Sequence, residues 1–111
     1  MLLPRIARIT AVLIGLGTFV FLFVGDSWRA DNPFLVPDLV LSAALLGAAA
    51  LPGRIAAAPL LAAHCLAAGV LSVSVATYAV DGRIGIASLL GLLGAVVTAT
   101  LLIRLRPEMS A

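Results

Sequence analysis

The sequence predicts an all-α fold: a polytopic membrane protein with four transmembrane helices, arranged as an antiparallel bundle of two hairpins. Three observations lead there. The chain is 63% hydrophobic and only 11% charged, with a mean hydropathy of +1.23, whereas soluble domains carry about 45–50% apolar and about 25% charged residues. A chain of 111 residues buries too small a share of its surface to hide that much apolar area from water. The apolar residues also fall into four runs, each near the roughly 20 residues that cross a bilayer, separated by clusters of Gly, Pro and Asp.

The first run, Ile9 to Val24, follows Arg5 and Arg8 and carries Phe19, Phe21 and Phe23 toward its far end. A basic start before an apolar stretch also describes a secretory signal. Here Trp28 stands where cleavage after Ala30 wants a small residue, so the run is read as a helix over about residues 6–24. Residues 25–37 form the one substantial loop, with Asp26, Asp31, Asn32 and Pro33 as turn formers. Trp28 and Phe34 fall where aromatic rings favour the headgroup interface.

The second helix is expected over about 35–51, opening near Pro37-Asp38 and ending at Pro52-Gly53. Proline suits a first turn, and an acid there complements the helix dipole. Pro52-Gly53-Arg54 is a tight turn into the longest helix, about 55–80, with Pro59 in its first turns, where the missing N–H costs least. Asp81-Gly82-Arg83 turns the chain again into a fourth helix over about 84–104, which stops at Arg104, Arg106 and Pro107. Residues 1–111 thus read as a single four-helix transmembrane domain.

Orientation follows from the basic residues, all seven of them Arg. With the N-terminus cytoplasmic, Arg5, Arg8, Arg54, Arg104 and Arg106 lie inside and only Arg29 and Arg83 outside. The bias of positive charge toward short cytoplasmic loops favours this arrangement. Both termini are therefore expected on the cytoplasmic side of a bacterial inner membrane. The same scatter of arginines over two faces forms no basic stripe, which argues against a nucleic-acid partner.

Helices in lipid associate largely through small residues that let backbones approach. Ala87, Gly91, Ala95 and Ala99 form a four-residue ladder on the fourth helix, and Ala68, Ser72 and Ala76 form another on the third, extended by His64. Ala43-Gly47 and Ala44-Ala48 offer the same spacing on the second. The expectation is close contact among helices two, three and four. The first helix, bulkier with its phenylalanines, is expected at the edge of the bundle or facing a partner.

Two ionisable residues are candidates for function. His64 lies nine residues into the third helix, about 13 Å along its axis, at a depth where a titratable group is costly and often functional. As a functional group it would relay protons, contact quinone or haem, or ligate a metal. As a structural group it would be a neutral imidazole bonded to a Ser or Thr of a neighbouring helix. Asp38, the one acid inside a helix, is either a dipole-complementing residue or the partner of Arg29, Arg83 or a bound cation. Cys65 reads as a small apolar group rather than a reactive thiol, and Tyr78 as an interfacial aromatic.

A Gly-rich phosphate loop, paired carboxylates, a nucleophile elbow and a Cys/His cluster are all missing from the sequence. His64 and Cys65 are adjacent in sequence, and consecutive helical residues do not face each other. No catalytic residue, metal ligand or cofactor is assigned on these grounds, and an enzyme is not expected. In length and plan the chain resembles the small multidrug resistance transporters, but the membrane-embedded Glu on which that family's first helix depends has no counterpart in Ile9 to Val24. It departs from the claudin type in its short outer loop without cysteines. Its Arg-only, Ala- and Leu-rich character looks most like the small uncharacterised four-helix inner-membrane proteins of actinobacteria. The expected role is a non-catalytic accessory, assembly or structural subunit of a larger membrane complex, with the lipid bilayer and other subunits, or copies of itself, as partners. The alternative is a small oligomeric transporter or channel for a small solute or ion.

Overall fold

A computed structural model describes residues 2–24 and 31–104, leaving aside the side chains of Leu2 and Arg54. Asp26, Trp28, Arg29 and Arg106 lie outside the described residues, and with them the proposed interfacial role of Trp28 and the pairing of Asp38 with Arg29. Four helices follow one another: α1 (Leu2–Val24), α2 (Leu35–Ala50), α3 (Ala57–Val80) and α4 (Ile86–Arg104), with a 3-10 turn over Gly53–Ala56 leading into α3. Three are long and apolar enough to cross a membrane, over Leu3–Val24, Ala57–Val80 and Ile86–Arg104. The other, α2, has 16 residues, about 24 Å by the helical rise, and falls short of the usual span. The described chain is elongated, with extents of 45 × 23 × 16 Å.

The turns account for their backbone groups. Asn32 Oδ1 accepts a hydrogen bond from Phe34 N (3.0 Å), and Asp38 N donates to Phe34 O (2.8 Å) as α2 begins. At the other end of the fold, Gly82 takes φ +71°. Its N–H donates to Ala79 O (3.0 Å), and Arg83 N donates to Tyr78 O (2.9 Å). This is the paired closure of a helix end by a left-handed residue, which glycine adopts without a Cβ penalty. Asp81 and Arg83 pair across the turn at 3.8 Å. The Arg83 guanidinium lies 5.1 Å from the Tyr78 ring centre.

The most extensive packing joins α3 to α4 and α1 to α2, followed by α2 with α3 and then α1 with α4. This corrects two expectations. The first helix is not at the edge, since it packs against all three others. Nor are α2 and α4 close neighbours, since α1 and α3 lie between them in the packing order. The reason lies in the small residues of α1. Ala7 and Ala11 are fully buried, Gly15 is buried one turn further on, and a Cβ added at Gly15 would sit 3.0 Å from Leu46 Cγ. The phenylalanines point away from this seam, and Phe19 and Phe23 meet edge-on at 5.3 Å instead.

The buried positions also correct the ladders. On α3 the inward residues are Leu60, Ala63, His64, Ala67 and Leu71, with Ala68 partly buried and Ser72 and Ala76 exposed. On α4 they are Ala95, Thr98, Ala99 and Leu102, with Gly91 partly buried and Ala87 exposed. Repeated four-residue steps drift by about 40° each around a helix of 3.6 residues per turn. Three such steps therefore carry a ladder about 120° off its starting face. Alternating steps of three and four cancel the drift. Leu60-Ala63-Ala67-Leu71 on α3, Leu41-Leu45-Ala48 on α2 and Ala7-Ala11-Ile14 on α1 all mix steps of three and four, and together they form one continuous core. On α2 Ala48 is buried and Ala44 partly buried, while Ala43 and Gly47 are exposed.

Candidate functional site

Five of the hydroxyl side chains bond to the backbone of their own helix. Thr10, Ser42, Thr77 and Thr100 each donate to the carbonyl four residues earlier on their own helix, at 2.7–2.8 Å. Ser72 donates to Gly69 O at 2.7 Å. Such bonds satisfy a hydroxyl in an apolar setting without any second helix. Ser74 and Ser88 instead meet across α3 and α4 at 2.8 Å.

His64 is fully buried. Its Nδ1 lies 2.8 Å from Leu60 O, and because a carbonyl only accepts, Nδ1 carries the proton. Nε2 has no hydrogen-bond partner among the described residues. The ring is thus bonded to its own helix, not to a Ser or Thr of a neighbour as the structural reading of the sequence expected. It borders neither of the two cavities beside Asp38, and no group of three or more His, Cys, Asp or Glu gathers to hold a metal among the described residues. Cys65, the next residue, is exposed on the outside of α3.

Asp38 is placed differently. It is half-buried in the first turn of α2, and no side chain caps that helix. Among the described residues its carboxylate has no hydrogen bond or ion pair, and Arg83, one of its expected partners, pairs with Asp81 instead. Asp38 borders two cavities. The larger, about 520 Å³, lies in the seam between α1 and α4, with Leu71 of α3 on its wall. The smaller, about 260 Å³, lies toward the loop, beside Asn32, Phe34, Ser74, Tyr78 and Arg83. His64 is ten residues from Ser74 on α3, about 15 Å along the axis, so the two candidate residues occupy different levels of the fold and act on no common atom.

Two features escaped the sequence reading. Arg8, taken there as an orientation signal, reaches across to α2 and donates through Nη1 to Ala49 O (2.7 Å) and to Leu51 O. It thereby satisfies carbonyls that a helix C-terminus leaves open. The Ala7-Ala11-Gly15 spacing was the signal for the α1 seam, and it was visible in the sequence. The Ser74–Ser88 pair had no signal, because it depends on the relative rotation of two helices. Comparison with known protein families, with curated proteins and with solved structures finds no match to this chain.

Proposed function

We propose that the chain is a multi-pass inner-membrane protein of the antiparallel four-helix type, with both termini cytoplasmic, acting as a non-catalytic accessory or assembly subunit of a larger membrane complex. One observation carries this reading: five hydroxyls turn back onto their own helix backbones while every helix presents large apolar side chains outward. Ile9, Leu13 and Val20 on α1, Val40 on α2, Val73 on α3 and Leu90, Leu93 and Val97 on α4 are all exposed. Outward apolar surface on that scale suits lipid or protein neighbours and not water. A short α2 fits the same setting if flanking residues from Phe34 complete the crossing, since mismatch is taken up by local thinning or by neighbours.

The test is gentle detergent extraction of the tagged protein from its own host, with native sizing and mass spectrometry of what accompanies it. Stoichiometric co-purification with a larger complex is the expected result. A homo-oligomer alone would overturn the accessory reading and favour transport. A reporter fused after Ala111 is expected to read out on the cytoplasmic side, and an external signal would defeat the topology. The second reading, a small oligomeric transporter or channel, draws its support from a different observation, the cavity that Asp38 borders.

A further inference from the structure

We infer that the seam between α1 and α4 is a binding site for an amphipathic monocation, an apolar body carrying one ammonium, with Asp38 as its anionic anchor. The inference goes beyond the accessory reading and holds whether or not a partner complex exists.

Charge comes first. Among the described residues, Asp38 is the one charged side chain on the wall of the larger cavity, and its carboxylate has no hydrogen bond or ion pair there. Arg83 borders only the smaller cavity, where Asp81 and the Tyr78 ring hold it. A carboxylate at the edge of apolar helices gains most from a cation that donates to it directly, since charge-assisted hydrogen bonds are the strong ones and strengthen away from water.

Shape selects the rest of the ligand. At about 520 Å³ the cavity falls in the range of small-molecule sites, about 300–1,000 Å³. Its walls beyond Asp38 are mainly apolar, with Leu13, Ile14, Phe21, Leu71 and Leu90 prominent among them. Leu13 and Leu90 are both largely exposed, so the cleft opens sideways between α1 and α4 and not through the end of the fold. Gly17 on its wall is exposed and has nothing within 4 Å of an added Cβ, so a larger side chain there meets no neighbour. A hydrated metal ion would find one carboxylate and mostly hydrocarbon there. An alkyl or aryl ammonium would find a surface for each of its parts.

The experiment uses the full chain purified in neutral detergent micelles and dansylcadaverine, whose dansyl group reports an apolar environment and whose tail is a primary ammonium. Dansyl pentylamide, which lacks the charge, is the control, and empty micelles are the blank. The expected result is saturable enhancement with the cation above the blank and at least about tenfold weaker binding of the neutral analogue. Asp38→Asn is expected to lose about the same factor, while Asp31→Asn, in the loop, leaves binding unchanged. Gly17→Leu fills the cleft with Asp38 intact and is expected to abolish saturation, so a second variant speaks if Asp38→Asn fails to fold. Equal binding of the two probes, full affinity in folded Asp38→Asn, or no saturation by the wild-type chain would each overturn the inference.

Discussion

Three alanine substitutions at glycines on different helices separate close packing from mere helix composition. At Gly47 a Cβ meets nothing within 4 Å, so Gly47→Ala adds only helix preference, worth about 0.5–1 kcal/mol in water and less in detergent, where the unfolded reference keeps helix. At Gly15 the same methyl would sit 3.0 Å from Leu46 Cγ, 3.3 Å from its Cδ2 and 3.4 Å from Leu45 Cβ. Leu46 Cγ is a branch point on a partly buried side chain and Leu45 is fully buried, so Leu46 must give by a few tenths of an ångström at the α1–α2 seam. Overpacking of this kind costs about 1–3 kcal/mol. Less the helix gain, Gly15→Ala is expected to destabilise by about 1 kcal/mol, or about 2 kcal/mol relative to Gly47→Ala. Gly91→Ala should fall between them, because the near atom at 2.9 Å is the terminal Leu71 Cδ1, which can rotate away. Gly91→Leu should cost more than Gly91→Ala. Unfolding in mixed micelles, followed by far-ultraviolet circular dichroism, gives the order. If Gly15→Ala proves as stable as Gly47→Ala, α1 does not pack closely on α2 and the corrected helix order fails.

Arg8→Gln should destabilise by about 2 kcal/mol, since charged hydrogen bonds to the Ala49 and Leu51 carbonyls are lost from a partly buried site; Arg8→Lys should recover part of it, and unfolding titrations of the three proteins check both. Ser74→Ala and Ser88→Ala should each cost about 1 kcal/mol, with the double variant costing little more than one, because each hydroxyl is the other's partner at 2.8 Å. Cys65, exposed on the outer side of α3, should resist a charged maleimide in intact membrane vesicles, since a thiol against hydrocarbon stays protonated and the thiolate is the nucleophile, and should react once the protein is denatured in detergent. Labelling by the charged reagent from either side would place that face in water and remove the membrane reading of α3.

How much of this was legible in the sequence depends on the scale of the question. Helix count and turn positions were, because Pro52-Gly53 and Asp81-Gly82 interrupt hydrophobic runs that continue on either side, and backbone chemistry alone decides such breaks. The first helix starts earlier than expected, at Leu2, since Pro4 falls in the first turn, where no donor is missed. The fourth starts later, at Ile86, after Gly85 has brought the chain against Tyr78, whose ring a Cβ there would strike. Which helices touch was not legible from composition. Bulk was a poor guide on α1, where the exposed Phe19 and Phe23 say nothing about the buried Ala7, Ala11 and Gly15 in the preceding turns.

The fixed four-residue ladder failed on α3 for a reason that also explains the candidate site. A ladder read at one spacing treats the helix as though 3.6 were four, and its error grows with length. His64 and Ala68 start near the inward face of α3, but Ser72 and Ala76 have rotated out of it. The residues that stay inward mix steps of three and four, and on the upper half of α3 that path runs from Leu71 to Ser74 and Tyr78, both partly buried. It delivers Ser74 to Ser88, and it brings Ser74 and Tyr78 to the smaller cavity beside Asp38. On α1 the same path leaves Gly17 just off the seam with α2 and on the wall facing α4. A single acid in a helix was therefore visible in the sequence, whereas the space beside it was not. That space exists because α1 and α4, the first and last helices, close the fold with the least packing of the four main seams and with glycines on both sides, Gly17 on α1 and Gly91 and Gly94 on α4. A carboxylate at a tight seam would have needed a partner from the chain itself; at this loose one, the partner has room to come from outside.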